Sequence, residues 1–282
     1  MNNNSIHYSV LMSVYSKVKA DELITSINSM LKQTAPPEQF VLVEDGPLPD
    51  ILEKAINDYE TTNPGLFTIV RLKVNSGLAV ALNEGLSVAR NELVARMDSD
   101  DYSLPTRCEK QLSVFEKDEE LALLGTETAH FIGDIDHRVP LTKTRPHDWD
   151  GIKKTLRRFS PFAHPSVMYK KSAVLACGGY DPILRRRQDY DLFSKMVNGY
   201  NYKAENVPEV LLLFRADEDF LLRNKNWDSC KSRIKVQRRI FKRGECSILD
   251  YLYIVCSMVA SFILPKGIYK KIYSRTIKSI NK

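Results

Sequence analysis

Three aspartates follow a short apolar segment of the chain. The segment Leu93–Met97 leads directly into Asp98, which is followed by Asp100 and Asp101. Because Asp98 and Asp100 are two residues apart, an extended backbone would direct both carboxylates to the same side. Carboxylates that lie close together repel one another, and a shared cation relieves that repulsion. Oxygen ligands of this kind suit Mg²⁺ or Mn²⁺, particularly when substrate phosphates complete the coordination shell.

The elements that would position these aspartates alternate along the N-terminal part of the chain. Short β-rich or apolar segments predict four strands: Tyr8–Tyr15, Phe40–Val43, Thr68–Leu72 and Leu93–Met97. Apolar residues at helical spacing predict three helices between them: Asp21–Gln33, Ile51–Tyr59 and Leu78–Arg90. A strand–helix alternation with short connections indicates a mostly parallel sheet with helices on both faces.

This topology would bring polar residues from four strand ends to one edge of the sheet. They are Ser13–Tyr15, Glu44–Asp45, Asn75–Gly77 and Asp98–Asp101. Ligands of open α/β sheets bind outside the carboxyl ends of the strands. The glycines form neither a dinucleotide-binding fingerprint nor a P-loop, so the ligand must be held by side chains and a metal.

Several motifs, in their order and spacing, resemble the inverting nucleotide-sugar glycosyltransferases of family 2, which have the GT-A fold. The matching segments are Val10–Tyr15, Val43–Gly46, Asn75–Gly85, Ala95–Asp101 and Gln188–Leu192. His164–Ser166 and Gly178–Asp181 are similar to the acceptor-side segment of that family, and the resemblance covers about residues 8–215. It implies an α/β GT-A fold with a Rossmann-like, mostly parallel sheet, followed here by a C-terminal helical amphipathic extension.

The resemblance also implies roles for residues at the sheet edge. Six of them would form the nucleotide-sugar site: Ser13, Tyr15, Asp45, Asn75, Gly77 and Asp98. A uracil imide N–H needs an acceptor, which the Asp45 carboxylate would supply. Asp100 and Asp98 would hold Mn²⁺ or Mg²⁺, which stabilises the negative charge of a leaving nucleoside diphosphate. Asp217 is a further candidate metal ligand, because many family members have a histidine at this position.

The acceptor side of the implied site centres on Asp189, which lies shortly after the arginines Arg185–Arg187. By resemblance, Asp189 is the catalytic base that accepts the proton of the acceptor hydroxyl. His164, Arg187 and Asp191 are predicted to lie on the acceptor side. The arginines would bind an acceptor diphosphate and keep the carboxylate of Asp189 ionised.

Structural alternatives stay open for several of these residues. Asp189 and Asp191 could be surface acids paired with the arginines. Asp191 is favoured as a residue that caps or orients a helix beginning at Leu192, since aspartate is common at helix starts. Asp45 could cap the turn before Ile51, and His164 could be a structural histidine.

Basic and apolar blocks alternate along the C-terminal part of the chain. Lys231–Arg243 is a basic helix candidate, Ser247–Leu264 is apolar with aromatic residues, and Lys266–Lys282 is basic again. An apolar segment between basic ones is typical of a helix that lies at an anionic membrane surface. The alternative is that Ser247–Leu264 packs on the catalytic domain as an ordinary core helix. No nucleic-acid-binding motif accompanies the basic residues, which argues against a nucleic-acid partner.

The 282 residues carry a net charge of +6 and have a composition typical of a globular protein. We predict a catalytic domain at residues 1–225, with a nucleotide-sugar half at 8–101 and an acceptor half at 102–225, and a membrane-associating tail at 226–282. The five scattered cysteines indicate reduced thiols, and Met1–His7 lacks an apolar signal core. These features predict a cytoplasmic enzyme, peripheral on the inner face of a bacterial inner membrane.

The predicted reaction moves a hexose or N-acetylhexosamine from a UDP-sugar to a lipid-linked saccharide in O-antigen or polysaccharide synthesis. The resemblance and the tail together suggest GlcNAc-diphosphate-undecaprenol or a growing repeat unit as the acceptor. A sugar-nucleotide pyrophosphorylase would need a glycine-rich basic loop after the first strand, which Ser13–Lys19 lacks. A non-catalytic nucleotide-sugar-binding or membrane scaffold protein would not need Asp98, Asp100 and Asp189.

Overall fold

The computed structural model describes residues 6–139, 145–216 and 226–264 of the chain. Nine strands lie in these ranges: β1 (Tyr8–Val14), β2 (Gln39–Glu44), β3 (Phe67–Arg71), β4 (Leu93–Asp98), β5 (Tyr102–Ser103), β6 (Leu121–Ile132), β7 (Asp134–Val139), β8 (Met168–Lys170) and β9 (Lys203–Arg215). Nine α-helices lie in the same ranges: α1 (Ala20–Leu31), α2 (Asp50–Thr62), α3 (Leu78–Val88), α4 (Arg107–Lys117), α5 (Trp149–Leu156), α6 (Lys171–Ala176), α7 (Gln188–Ser194), α8 (Trp227–Lys242) and α9 (Ile248–Ile263). The four strands and three helices predicted for the N-terminal part are all present.

The predicted strands form the parallel half of one mixed sheet. The strand order is β3-β2-β1-β4-β8-β6-β9-β5, and β7 pairs with β6. β1 pairs in parallel with both β2 and β4, so that Ser13 lies beside Val43 on one side and Asp98 on the other. The carboxyl ends of these strands therefore meet at one edge of the sheet.

Antiparallel pairing extends the sheet beyond β4. β8 runs antiparallel to both β4 and β6, and β5 runs antiparallel to β9, whereas β6 and β9 are parallel. A 3-10 turn at His164–Ser166 precedes β8. The amide of Arg96 in β4 donates to the carbonyl of Val167 at 2.9 Å. This pairing places His164 beside the strand that ends in Asp98.

Apolar side chains of β1 alternate between two buried clusters. Leu11 lies in one cluster with Leu82 of α3, whereas Val10 and Met12 lie in another with Leu23 of α1. Successive side chains of a strand point to opposite faces, and a strand that is covered on both faces is apolar throughout. The sheet therefore carries helices on both faces, which confirms the predicted α/β architecture.

The C-terminal helices α8 and α9 pack against each other, α8 packs against α7, and α9 contacts the end of α5. Val236 and Ile240 of α8 are buried in the cluster that also contains Leu192 of α7. α9 begins with a capping box between Ser247 and Asp250. The predicted segments Lys231–Arg243 and Ser247–Leu264 are thus helical, whereas Lys266–Lys282 lies outside the described residues. None of the helices that the structure describes is long and apolar enough to cross a bilayer.

Candidate active site

A cleft of about 420 Å³ lies at the carboxyl edge of the parallel strands. All residues predicted to bind the nucleotide sugar line it together with Asp100: Ser13, Tyr15, Asp45, Asn75, Gly77 and Asp98. The lining also includes Lys17, Val18 and Glu22, which lie outside the matching segments, and Leu78 and Ser99, which lie within them. The side chains come from the ends of β1, β2 and β4 and from the loop before α3, so the parallel pairing brings them together.

The carboxylate of Asp45 holds the loop that precedes α3. It accepts hydrogen bonds from the amides of Ser76, at 2.6 Å, and Gly77, at 3.0 Å. The side-chain amide of Asn75 donates to the backbone carbonyl of Asp45 at 3.1 Å. The alternative that Asp45 caps the turn before Ile51 is wrong, because α2 begins at Asp50 without a side-chain cap. Asp45 therefore fixes one wall of the cleft.

Gly46 allows the close approach of this loop to β2. Its φ is +87°, which favours glycine, and a Cβ at this position would lie 2.5 Å from the backbone nitrogen of Asn75. No side chain larger than hydrogen fits there without moving the loop. The glycine is thus part of what places Asn75 and Gly77 in the cleft.

Asp98, Asp100 and Asp101 form a compact cluster of carboxylates. Each offers an oxygen within 4.8 Å of the others. Burial, and then the charge of Asp98, raises the pKa of Asp100 to about 6. Burial and the neighbouring carboxylates also raise the pKa of Asp101 well above its usual range. Crowded acids whose ionisation is opposed in this way fit a divalent cation, which would favour their charged forms.

Hydrogen bonds with the end of β9 hold the loop that carries these acids. Asp101 is buried, and its Oδ1 accepts from the amide of Arg215 at 3.0 Å, while its Oδ2 has no hydrogen-bond partner among the described residues. The guanidinium Nε of Arg215 donates to the carbonyl of Asp100 at 2.9 Å. The end of β9 therefore fixes the loop that carries the acids. Asp217, the further predicted ligand, lies outside the described residues.

A buried arginine lies beneath the acid cluster, and the motifs do not assign it a role. The side chain of Arg96 is 1% exposed, and its Nη2 lies 2.5 Å from Oδ1 of Asp98. Its Nε and Nη1 have no hydrogen-bond partner among the residues that the structure describes. Burial raises the pKa of both Asp100 and Asp189, and the charge of Arg96 partly opposes that rise. The signal available in the sequence is an arginine inside an otherwise apolar strand, since a buried cation requires a partner.

Asp189, the predicted base, lies in the first turn of α7. Burial raises the pKa of its carboxyl, although the backbone amide of Tyr190 and the charges of Arg187 and Arg96 oppose this shift. The arginines therefore favour ionisation as expected, but burial outweighs them. A raised pKa brings a carboxylate closer to the range that suits a general base at neutral pH.

Asp191 neither caps a helix nor lies where an acceptor could reach it. Its side chain is 1% exposed and lies 2.8 Å from Nη1 of Arg243, and Nε of Arg239 and Nζ of Lys195 lie at 3.4 Å. The prediction that Asp191 caps a helix from Leu192 is wrong, because α7 begins at Gln188 and contains Asp191. A carboxylate buried among three cations cannot contact an acceptor. Asp191 instead joins α7 to α8.

His164 and Arg187, both predicted to lie on the acceptor side, are each held by a neighbouring side chain. The Nε2 of His164 is 2.9 Å from the hydroxyl of Tyr180. Burial and the charge of Arg96 lower the pKa of His164 well below its usual value, so the imidazole is neutral at neutral pH. Arg187 has a φ of +62° at the start of α7, and its Nη2 donates to Ser229 of α8 at 3.3 Å. Both side chains are thus held by packing contacts.

A second cleft of about 250 Å³ adjoins the first. The two share Asn75, Gly77 and Leu78 as lining residues, and Arg185 lies in the second cleft. The start of α3 therefore separates a cleft that contains the acid cluster from one that contains an arginine. Such an arrangement offers adjoining places for a donor and an anionic acceptor.

Comparisons with known proteins place this geometry in a family. The model of Glycosyl transferase family 2 matches residues 9–177. The chain is 32% identical over 271 residues to an uncharacterized glycosyltransferase of Haemophilus influenzae, which covers 96% of this chain and 99% of the relative. It is 33% identical over 231 residues to the amylovoran biosynthesis glycosyltransferase AmsE of Erwinia amylovora, and this match covers 82% of this chain and 84% of the relative. It is 28% identical over 280 residues to a UDP-Gal:alpha-D-GlcNAc-diphosphoundecaprenol beta-1,3-galactosyltransferase of Escherichia coli, with 99% of each chain covered.

Solved structures agree on the fold. The chain superposes with a TM-score of 0.71 on GalNAc-T7 with UDP, GalNAc and Mn²⁺, at 17% identity, covering 99% of this chain and 55% of that one. It superposes with a TM-score of 0.65 on the mannosyltransferase PcManGT of Pyrobaculum calidifontis in complex with GDP-Man and Mn²⁺, at 16% identity, with 90% and 73% covered. These neighbours confirm the predicted GT-A fold. With a family match over most of the sheet and relatives aligned along nearly the whole chain, the protein is a member of glycosyl transferase family 2.

Proposed function

We propose that this glycosyltransferase moves a hexose or N-acetylhexosamine from a UDP-sugar to a saccharide carried on a lipid diphosphate. The observation that carries the proposal is the cleft in which the predicted nucleotide-sugar residues surround Asp98 and Asp100. Its relatives serve polysaccharide and O-antigen biosynthesis. The printed name of the relative from Escherichia coli, a UDP-galactose:GlcNAc-diphosphoundecaprenol transferase, supports both substrate classes.

Asp98 and Asp100 would hold Mn²⁺ or Mg²⁺ in this cleft. When bound, the ion neutralises the negative charge that develops on the leaving diphosphate. Arg96 anchors the carboxylate of Asp98 from below through the contact of 2.5 Å. Asp45 holds the loop that contains Ser76 and Gly77 and so shapes the wall against which the nucleotide would lie.

Asp189 would act as the base in a single displacement. The acceptor oxygen forms a bond to the anomeric carbon of the donor sugar while the bond from that carbon to the diphosphate oxygen breaks. The electron pair of the broken bond leaves with the diphosphate, and the hydroxyl proton passes to the carboxylate of Asp189. Attack from the face opposite the leaving group inverts the configuration at the anomeric carbon. Arg185, in the adjoining cleft, and Arg187 supply positive charge for an acceptor diphosphate.

A lipid-linked acceptor requires the enzyme to work at a membrane. We propose that the enzyme is cytoplasmic and associates peripherally with the inner face of the bacterial inner membrane. Helix α9 supports this, because its large exposed side chains are all apolar: Ile248, Leu249, Leu252, Tyr253, Val259, Phe262 and Ile263. Only Asp250 and Ile254 of this helix are buried. An exposed apolar helix face suits insertion at the level of the lipid headgroups.

A donor screen with a GlcNAc-diphosphate-lipid analogue tests the proposal. The full chain is incubated with Mn²⁺ and each of several UDP-hexoses and UDP-N-acetylhexosamines, and the lipid product is separated and examined by NMR. We expect one donor to support transfer with inversion at the anomeric carbon. Asp189→Asn should still bind UDP but should not transfer the sugar. Tight binding of UDP-sugars without transfer to any acceptor would show a binding protein instead.

A further inference from the structure

Another cavity lies away from the two active-site clefts, between the end of α5 and the start of α9. Its volume is about 470 Å³, and its lining includes Lys154, Arg157, Arg158, Phe159 and Asp250. None of these residues lines the two clefts of the active site. The cavity is therefore separate from the active site.

The cavity has an excess of positive charge. Asp250 accepts from Nε of Arg157 at 2.9 Å and from Nε of Arg158 at 2.6 Å. Burial alone would raise the pKa of Asp250, but hydrogen bonds from Ser247 and from both arginines lower it far below its usual range. The carboxylate is therefore always ionised at neutral pH and balances one of the three cations. Among the described residues that line the cavity, two positive charges therefore remain without a balancing anion.

The arginines are held in place but remain accessible. Their side chains are 45% and 43% exposed, so the N–H groups not used by Asp250 face the cavity or solvent. The carbonyl of Arg157 accepts from Gln237 of α8 at 2.8 Å, and the carbonyl of Leu156 accepts from Tyr190 of α7 at 2.9 Å. The end of α5 is thus fixed against two helices. A fixed pair of guanidinium groups beside a lysine is suited to a phosphate group.

The cavity opens beside the apolar face of α9. The guanidinium of Arg158 stacks on the ring of Tyr253 at 4.7 Å, and this ring is 48% exposed on that face. Towards the other end of the helix, Phe262 contacts the exposed ring of Trp227 with centroids 5.1 Å apart. Lys231 lies over the same Trp227 ring at 5.7 Å. Cations and aromatic rings therefore flank the apolar face at both ends, as in helices that lie at a membrane interface.

We propose that this cavity binds the phosphate of an anionic phospholipid headgroup while the apolar face of α9 enters the same bilayer leaflet. The proposal rests on the membrane association proposed above and adds a defined lipid site to it. Lys154, Arg157 and Arg158 would contact the phosphate, and the acyl chains would continue along Tyr253 and Leu249. A headgroup bound at one end of α9 would fix how the catalytic domain is oriented on the membrane.

Two neighbouring lysines allow a matched test. Lys154 lines the cavity, whereas Lys153 donates to Asn201 at 2.8 Å and lies over Trp149 at 4.6 Å. Lys154→Gln and Lys153→Gln change the net charge equally. Binding of the full-length wild type and both variants is measured by flotation with vesicles of phosphatidylcholine, with and without phosphatidylglycerol. Thermal unfolding checks that both variants are folded.

We expect Lys154→Gln to lower affinity for the vesicles that contain phosphatidylglycerol by about fivefold, the typical effect of one lysine at an anionic surface. Lys153→Gln should lower it by less than twofold, and pure phosphatidylcholine should not distinguish the proteins. Equal losses in the two variants would show diffuse attraction by net charge and overturn the lipid site. Unchanged binding of Lys154→Gln would overturn it too.

Transfer to a short-chain, water-soluble acceptor separates this proposal from the proposed enzymatic function. Lys154→Gln should transfer sugar to that acceptor at the wild-type rate, because Lys154 lies outside both active-site clefts. Failure of the wild type to transfer sugar would refute the reaction but leave the vesicle result intact. A wild type that transfers sugar yet binds both kinds of vesicle equally would refute the lipid site alone.

Discussion

The buried carboxylate of Asp191 offers a direct test of how α7, the helix that carries the proposed base, is held. We consider Asp191→Asn, which keeps the shape of the side chain and removes its charge. Asp191 contacts Nη1 of Arg243 at 2.8 Å, and Arg239 and Lys195 lie at 3.4 Å. The substitution would leave these cations around a neutral amide. The residue two positions earlier, Asp189, provides a control with the same chemical change in the same helix.

The size of the effect follows from the partners that remain. Removing one member of a buried ion pair costs about 3–5 kcal/mol, since the other charge stays buried without compensation. Arg243 keeps Glu245, whose Oε1 lies 2.5 Å from its Nε, and Arg239 keeps Asp181. We therefore expect the lower limit, a loss of about 3 kcal/mol in the free energy of unfolding. For a chain of 282 residues, an unfolding entropy of about 2.1 cal/mol/K per residue converts this loss to a fall in Tm of roughly 5 °C.

The control is expected to behave in the opposite way. Burial raises the pKa of Asp189 in the folded protein, so ionisation of this carboxyl opposes folding above its unfolded pKa. Asp189→Asn removes that cost at neutral pH and should leave the free energy of unfolding unchanged or slightly higher. Its effect should instead appear in the transfer reaction.

Urea unfolding followed by tryptophan fluorescence measures both variants under the same conditions. The two tryptophans, Trp149 and Trp227, lie in α5 and α8 and report on this part of the protein. If Asp191→Asn unfolds at the wild-type urea concentration with an unchanged slope, the network around Asp191 does not stabilise α7 and our reasoning is refuted. Equal destabilisation by both variants would also contradict it.

Four further predictions concern the active site and the membrane face. EDTA should abolish transfer, and added Mn²⁺ should restore it. Asp100→Ala should stay inactive at any Mn²⁺ concentration. Full activity in EDTA would exclude the metal role. Because the pKa of Asp100 is raised to about 6, protons should compete with the metal for this carboxylate. The Mn²⁺ concentration for half-maximal activity should therefore rise as pH falls below about 6. A concentration that does not change between pH 5 and pH 7 would contradict this. Asp189→Asn should lower the transfer rate on the order of a hundredfold or more without weakening UDP binding measured by calorimetry, and near-normal turnover would remove Asp189 from the mechanism. Replacing the exposed Leu249 and Leu252 together by glutamate should move the protein from the membrane to the soluble fraction without lowering its Tm, whereas a fall in Tm would indicate that α9 packs as a core helix.

Much of the N-terminal half could be predicted because its signals are local. Alternation of apolar segments with helical spacing specifies strands and helices, and short connections between them specify a parallel sheet. A parallel sheet then requires the strand ends to meet, which is why Ser13, Asp45 and Asp98 line one cleft. The roles of these residues came from resemblance, and the acid cluster itself was visible as spacing in the sequence.

The other contacts depend on residues that are distant in the chain. Asp191 and Arg243 are separated by 52 positions, and no periodicity indicates that they meet. Arg96 lies in a matching motif, but the tertiary structure is needed to show that it pairs with Asp98 and that its charge acts on the pKa of His164 and Tyr180. The antiparallel strands beyond β4 were not predicted either, because their pairing is set by long-range packing.

For the C-terminal helices, the sequence determined where the basic and apolar residues lie, and the tertiary structure determined which face of α9 is exposed. Blocks of basic and apolar residues predict two helices, and α8 and α9 are found there. Hydrophobic composition alone does not say whether a helix faces the core or the solvent. The contacts of Asp250 with Arg157 and Arg158 fix the rotation of α9, so that Asp250 and Ile254 face the protein and Leu249 and Tyr253 face outward. That orientation is decided by ion pairs 92 and 93 positions apart in the chain, which no local pattern of the sequence indicates.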